Sequence, residues 1–327
     1  MSIIGREIEV GIAIEGTRGT AEAAPQKWVK HVAADVIPRN QKVVDNNTRG
    51  RLEDSEGARI VRKWFEGELS GILHADVLGY LLLSLYGTVQ STVVTGAVTS
   101  HVFSLLNSIT HPTLSIFRRD GAVESRVYAG GIVRSLEISA STEDYVRFTA
   151  AIGARTGGDH AETATYDTEY DFIGKDITVK VADTEGGLAA ANALKLKTLT
   201  VRYDPGPIDD YAFGSFNPND MHNGRMAIEI EFTKNYEDTT FEALFDSDAY
   251  KYMQVAIVGD ADIGSANNPS ATFVFNKAQV QNWERSGDPD ALAEETVTLK
   301  AFFNATDGEQ STVTLQNLTA AYEADES

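Results

Sequence analysis

A segment in the first half of this chain recurs in the second. Residues 63–85 read KWFEGELSGILHADVLGYLLLSL, and residues 226–248 read MAIEIEFTKNYEDTTFEALFDSD. Offset by 163 positions, Glu66 falls on Glu229, Glu68 on Glu231, Leu69 on Phe232, Ser70 on Thr233, Leu78 on Phe241, Leu81 on Leu244 and Leu82 on Phe245. Each copy predicts a half-buried strand that runs into a short amphipathic helix. A period of half the chain is too long for a solenoid and points to a duplicated domain. The match resumes further on, where GGIVRSLEISAS (130–141) resembles KAQVQNWERSGD (277–288). There Val133 falls on Val280, Leu136 on Trp283, Glu137 on Glu284 and Ser139 on Ser286. The offset is now 147, so the second copy has a shorter intervening segment. Two similar domains in one chain can fill two places in a ring, which favours an assembly over a pocket.

A chain of 327 residues has room for two domains. Apolar residues make up 42%, enough for packed cores and too many for disorder. Cysteine is absent, which excludes disulfides, thiolate metal sites and cysteine nucleophiles. The N-terminal MSIIGREIEVGIAIEG carries charges through its apolar part and has no signal-peptide core. The longest apolar stretch, around Val77 to Tyr86, is too short to cross a bilayer. A chain made and kept in a cytosol is the expectation. The net charge of −20 is uneven, with a balance of −1 over residues 1–160 and −19 over 161–327. Such a chain does not bind nucleic acid through a basic surface.

Period-two alternation dominates. Met226, Ile228, Ile230 and Phe232 alternate with polar neighbours, as do Val146, Phe148, Ala150 and Ile152, and Val297, Leu299, Ala301 and Phe303. Further strands are predicted over 6–14, 28–37, 101–106, 113–118, 132–140, 176–182, 194–203, 252–258, 271–276, 279–285 and 312–322. Helical spacing predicts only 74–86 and 238–246, with Asp76 and Asp238 near their starts, where a carboxylate suits the dipole. Two long polar stretches, 39–59 and 203–224, precede the matched strands and are read as loops that bind a partner subunit.

No catalytic constellation stands out. The six histidines, at 31, 74, 101, 111, 160 and 222, lack the spacing of a helical zinc pair. Asp45, Asn47, Gly50 and Glu56 fit positions of a calcium loop, but Arg49 stands where an oxygen ligand belongs, so coincidence is the reading. Glu294-Glu295 and Asp209-Asp210 are adjacent, and strand neighbours point to opposite faces. No metal or cofactor is expected, and no enzyme activity. The pairs Glu66/Glu68 and Glu229/Glu231 differ: on a strand each pair shares one face, about 7 Å apart. One pair alone would be the wet side of a sheet; the same pair in both copies also admits a functional reading.

The sequence resembles the major tail tube proteins of long-tailed (siphovirus-type) bacteriophages, in their larger, internally duplicated form. Glu15-Gly16-Thr17-Arg18-Gly19-Thr20, followed by Ala-rich residues and Pro25, is similar to the Glu-x-Thr-x-Gly-Thr arm of the family. Residues 196–233 resemble its strand, long loop with Phe213-Gly214-Ser215, and returning strand, and each half carries the strand–helix unit. Arg18 stands where Tyr is usual, and Asp204-Pro205 where Asn often follows the strand.

This resemblance implies a mainly β fold: two tandem tail-tube-type antiparallel β-sandwich domains, each flanked by one short α-helix, forming part of a closed β-barrel ring. The expected division is an arm (1–24), a first tube domain (25–158), connecting strands or a linker (159–195), a second tube domain (196–323) and a tail (324–327). It implies a structural virion protein in the tail, assembled in the host cytoplasm. Its partners would be further copies of itself, a tail initiator complex, a tape-measure protein and a tail terminator, with no membrane. DNA would pass through without specific binding. Single-domain relatives form six-membered rings, so a duplicated chain should build its ring from three copies. On that footing Glu66, Glu68, Glu229 and Glu231 are expected to face the lumen. Ring stacking is expected of the arm and the two loops, through Asp45, Arg49, Arg51, Asp54, Asp209, Asp210, Phe213 and Asn219. Two other readings stay open: a six-chain ring with one tube domain and one decorating sandwich, and a carbohydrate-binding β-sandwich.

Overall fold

The computed structural model describes residues 4–30, 32–45, 50, 52, 54–55, 57–287 and 289–324. The first half comprises β1 (Ile8–Ile14), β2 (Lys27–Val29), β3 (Val32–Ala34), β4 (Ile37–Val44), β5 (Ala58–Ile72), α1 (Ala75–Tyr86), β6 (Gly87–Thr95), β7 (Val98–Leu105), β8 (Leu114–Asp120), β9 (Glu124–Ser141), β10 (Arg147–Ala154) and β11 (Thr156–Asp159). The second comprises β12 (Ile177–Ala182), β13 (Ala193–Leu194), β14 (Leu196–Asp204), β15 (Ile208–Asp210), β16 (Asp220–His222), β17 (Ala227–Asn235), α2 (Thr240–Phe245), β18 (Lys251–Val258), β19 (Ser270–Ser286), β20 (Glu294–Ala301) and β21 (Ser311–Asn317). The fold is mainly β, in antiparallel layers.

The strand-to-strand register repeats between the halves. Ala150 of β10 sits opposite Leu69 of β5, and Val297 of β20 opposite Phe232 of β17. Those four residues match under the two offsets read from the sequence. A bulge repeats as well. Val133 pairs with Ile152 and Ser135 with Ala151, which leaves Arg134 extra; Val280 pairs with Leu299 and Asn282 with Thr298, which leaves Gln281 extra. A bulge re-aims a strand, so its recurrence at one position ties both long strands to one geometry. β9 and β19 use it to change layers. The first part of β9 pairs with β8 and β11, and the rest with β10. Likewise β19 begins against β18 and β21 and ends against β20.

The two helices, alike in sequence, sit differently. Every residue of α1 is buried, whereas only Phe241 of α2 is. The cause is the β6–β7 hairpin, which has no counterpart among the described residues of the second half and pairs with β21 there. It roofs α1 on the side that would otherwise face water. A helix enclosed on all sides needs apolar residues all round, and ADVLGYLLLSLY supplies them. Gly79 marks the tightest contact, since a Cβ there would lie 2.0 Å from the Tyr322 ring. The Tyr322 hydroxyl donates to Asp76 O and so seals the C-terminal segment over the helix. α1 ends at Gly87, whose φ of 85° is the left-handed cap that glycine adopts readily. Asp76 bonds Lys27 rather than capping, while Asp238 does accept the Thr240 amide.

Three expectations change. Residues 8–14, expected both as a strand and as part of an arm, form β1, paired along its length with β8. Both ends of the predicted loop 39–59 are strand: residues 39–44 belong to β4 and 58–59 to the start of β5, and the two strands pair. The connecting segment is stitched down: the Ala75 amide donates to Tyr170 O, the Val146 amide to Phe172 O, and β12 joins β18.

That stitching buries a carboxylate. Glu169 lies 3.4 Å from His74, its side chain 2% exposed, and accepts from the Lys30 amide at 3.3 Å. Burial pushes its carboxyl up to about 7, against the pull of nearby Lys27. Between 4.5, its ordinary value, and about 7 the folded chain keeps a proton that the unfolded chain has lost. Glu169 therefore lowers stability progressively as pH rises through that window. Glu169→Gln should be more stable than the parent at pH 8 by up to about 3 kcal/mol. The gain should shrink toward pH 5; urea unfolding at both pH values measures it, and an equal difference at both would contradict the assignment.

Candidate functional site

The strongest candidate is a surface rather than a cleft. One antiparallel sheet runs through both halves in the order β4–β5–β10–β9–β14–β17–β20–β19. The halves meet at the β9–β14 ladder, where Thr200 faces Ser139, Val201 faces Ile138 and Arg202 faces Glu137. On the inner side a buried row crosses seven strands: Leu69, Ala150, Leu136, Tyr203, Ile228, Ala301 and Ala278. On the other side the adjacent row is polar: Ser70, Thr149, Glu137, Arg202, Glu229, Lys300 and Gln279. Alternation along each strand produces both rows, because successive side chains point to opposite faces.

Glu66, Glu68, Glu229 and Glu231 all lie on this polar face. Glu66 accepts from the Trp64 indole at 2.9 Å and pairs with Arg39 at 3.0 Å. The face is not purely acidic. Arg202 reaches Glu137 at 2.9 Å, Glu229 at 3.2 Å and Glu231 at 3.4 Å, and these carboxylates hold its guanidinium firmly protonated. Sequence reasoning missed Arg202. Its signal was the alternation of LTVRYD, which puts Arg202 opposite Glu229 once β14 is paired with β17.

Both ends of this sheet are open among the described residues. β4 pairs with β5 alone, and all eight of its residues are exposed. The second part of β19 pairs with β20 alone. Unpaired edges of this length invite another chain.

The loop residues fall into two groups at one end of the sheet. Asp45 follows β4, with its amide on Gly57 O at 3.2 Å, and exposed Asp54 accepts the Ser55 amide. Arg49 and Arg51 lie outside the described residues, as do Asn47 and Glu56 of the calcium-like pattern. Asp209, Asp210 and Asn219 come together in the β15–β16 hairpin, where Asp209 meets Arg134 at 2.6 Å and Asn219 bonds Asp210 at 3.2 Å. Phe213, between those strands, is fully exposed. The second group rests on β5, where the Lys63 amide donates to Phe216 O and Arg62 covers the Tyr211 ring at 4.2 Å.

The Glu15–Thr20 motif braces this loop and is not a free arm. Glu15 is buried and accepts from the Gly19 and Gly130 amides and from the Thr113 and Ser115 hydroxyls. Burial raises its pKa despite those donors. Arg18 pairs with Asp220 at 3.0 Å and donates to His111 O and Met221 O. His101 serves packing: it is buried between Ser91 and Thr319 O, and burial lowers its pKa. Among the described residues no group of three His, Asp or Glu could hold a metal ion, and no helix is long and apolar enough to cross a membrane.

A two-layered β subunit with a continuous sheet and two open edges is the class this geometry defines. Among curated proteins none matches the chain. The phage tail tube protein family model matches residues 5–321, nearly the whole chain, and the protein belongs to that family. Its role is that of a structural protein of the tail tube.

The Arg202 cluster gives a test of the polar face. Arg202→Glu would set carboxylates side by side across β9, β14 and β17. We expect a loss of about 1–2 kcal/mol at low ionic strength, largely recovered in high salt. Urea unfolding at two salt concentrations measures this, and a salt-independent loss would point to packing instead.

Proposed function

We propose that three copies of this chain close into a ring with pseudo-sixfold symmetry, and that stacked rings form the tube through which phage DNA leaves. Residues 25–158 and 196–323 act as tandem tube domains, with β1 and β2 belonging to the first and β12 to the second. The β9–β14 ladder carries this reading. It joins two four-stranded sheets side by side within one chain, and the open edges are its counterparts. By the internal repeat, β19 stands where β9 stands and residues 33–38 stand where β14 stands. Ring closure then pairs the Asp35, Ile37 and Pro38 of one copy with the Ser286, Glu284 and Trp283 of the next. Pro38 falls at the end of that ladder, where Tyr203 ends the internal one, so its missing amide interrupts nothing.

In such a ring the polar face lines the channel. Glu66, Glu68, Glu229 and Glu231, with Glu137 and Glu284, outnumber Arg39, Arg202 and Lys300 in its central band. Net negative charge keeps phosphates from settling on the wall, within a screening length of roughly 8 Å. The loops at 39–59 and 203–224 carry stacking, and the initiator, tape-measure and terminator proteins set where the tube starts and stops.

The cysteine-free chain makes the edge pairing testable. Ile37→Cys with Glu284→Cys places thiols at directly opposed positions, within disulfide reach. Oxidised assemblies should yield linked species of two and three chains and nothing larger. Species up to six chains would indicate a six-copy ring, and an absence of linkage would remove the proposed edge. For the channel, the quadruple substitution of Glu66, Glu68, Glu229 and Glu231 by Lys should leave tubes intact and block genome passage. Normal infectivity of that variant would contradict the lumenal assignment.

A further inference from the structure

β14 carries a different feature at each of its ends. Beyond its C-terminal end stands the 204–222 loop with Phe213 at its apex, fully exposed. Beside its N-terminal end lies a pocket of ≈ 180 Å³ with an apolar wall of Ala140, Ile177, Leu194, Leu196 and Leu199 and a polar wall that includes Ser141, Thr142 and Thr198. The first four of those side chains are only half-buried in the isolated chain. The two features are separated by the length of the strand, roughly 27–30 Å at 3.3–3.4 Å per residue.

They are complementary in shape and in charge. A cavity of about 150 Å³ accepts a benzene ring, so by volume this pocket has room for one phenyl group, packed on its Ile177, Leu194 and Leu196 wall. The loop from Asp204 to His222 holds no Lys or Arg, and of its four carboxylates Asp209 and Asp220 are paired with Arg134 and Arg18, which leaves Asp204 and Asp210 to carry its negative charge. The pocket mouth holds Lys195 and Lys197. Lys197 is paired with Glu294, whereas Lys195 is exposed to solvent. A donor and an acceptor at opposite ends of one subunit make a head-to-tail contact, which propagates into a filament instead of closing on itself.

We propose that Phe213 of one copy inserts into the Ala140–Leu199 pocket of a copy in the adjacent ring, with Lys195 drawn to the acidic loop. This rests on the tube reading above and supplies its stacking contact with a defined receptor. The pocket lies against the junction of the two halves, formed by β9 and β14 on one side and β12 on the other. Seating an aromatic ring there makes stacking sensitive to how the halves are joined.

The test uses the full chain. With p-benzoylphenylalanine at position 213, irradiated tubes should give intermolecular cross-links that map to residues 140–142, 174–179 or 194–199. Cross-links confined to other segments would overturn the proposal. Phe213→Ala removes only an exposed side chain, so folding should be kept. Added to the Ile37→Cys, Glu284→Cys chain, it should also leave the ring disulfide between positions 37 and 284 unchanged. The concentration needed for tubes should rise about tenfold or more, and Lys195→Glu should act in the same direction by a smaller factor. Tubes at the parental concentration from Phe213→Ala would refute this contact while leaving the ring reading intact. Parental protein that forms neither linked rings nor tubes would overturn both.

Discussion

The ladder between β9 and β14 is the contact on which the rest of this structure depends. It turns two small sheets into one broad sheet and fixes their relative twist through backbone hydrogen bonds. Side chains on both faces follow from that register. The buried row from Leu69 to Ala278 becomes continuous, so both halves share one hydrophobic core. The polar row becomes continuous too, and Arg202 sits where three carboxylates from both halves converge. Buried apolar area supplies most of the stabilisation, but the ladder decides which surfaces remain to be covered.

An internal repeat that pairs with itself must leave unmatched partners at its ends. Here they are β4 and the second part of β19. A monomer with two such edges is a poor end state, since exposed backbone donors and acceptors attract further strands. Closing a ring removes both edges at once and gives each copy identical surroundings. The β6–β7 hairpin departs from the repeat. It crosses from the first half to β21 of the second and encloses α1, so the two halves are not interchangeable. A three-copy ring built this way keeps sixfold regularity on its inner sheet and threefold character outside.

Much of the inner sheet was legible in the sequence. Strict alternation in MAIEIEFT and in YVRFTAAI announced strands with one wet face, and the recurrence of Glu66/Glu68 as Glu229/Glu231 marked β5 and β17, whose pairing registers with β10 and β20 match. β4 was not legible. In IPRNQKVV both faces are exposed, so burial leaves no period-two mark, and only its partner β5 reveals it as a strand. β6 escaped notice because GTVQSTVVT is a hairpin arm whose partner strand β7 joins the other half of the chain. Helix α1 read as amphipathic because its leucine stripe was plain, while the hairpin that covers its other side lies in a different part of the chain. The connecting segment read as a linker because its contacts, such as Ala75 with Tyr170, are made to distant residues and not to neighbours.

The central claim is that one chain occupies two adjacent places in a ring. Electron microscopy of assembled tubes, averaged down the tube axis, tests it most directly. The account predicts rings of three two-lobed subunits whose inner wall shows six similar sheets. Rings of six chains, each contributing one sheet to the wall and one lobe outside it, would contradict it.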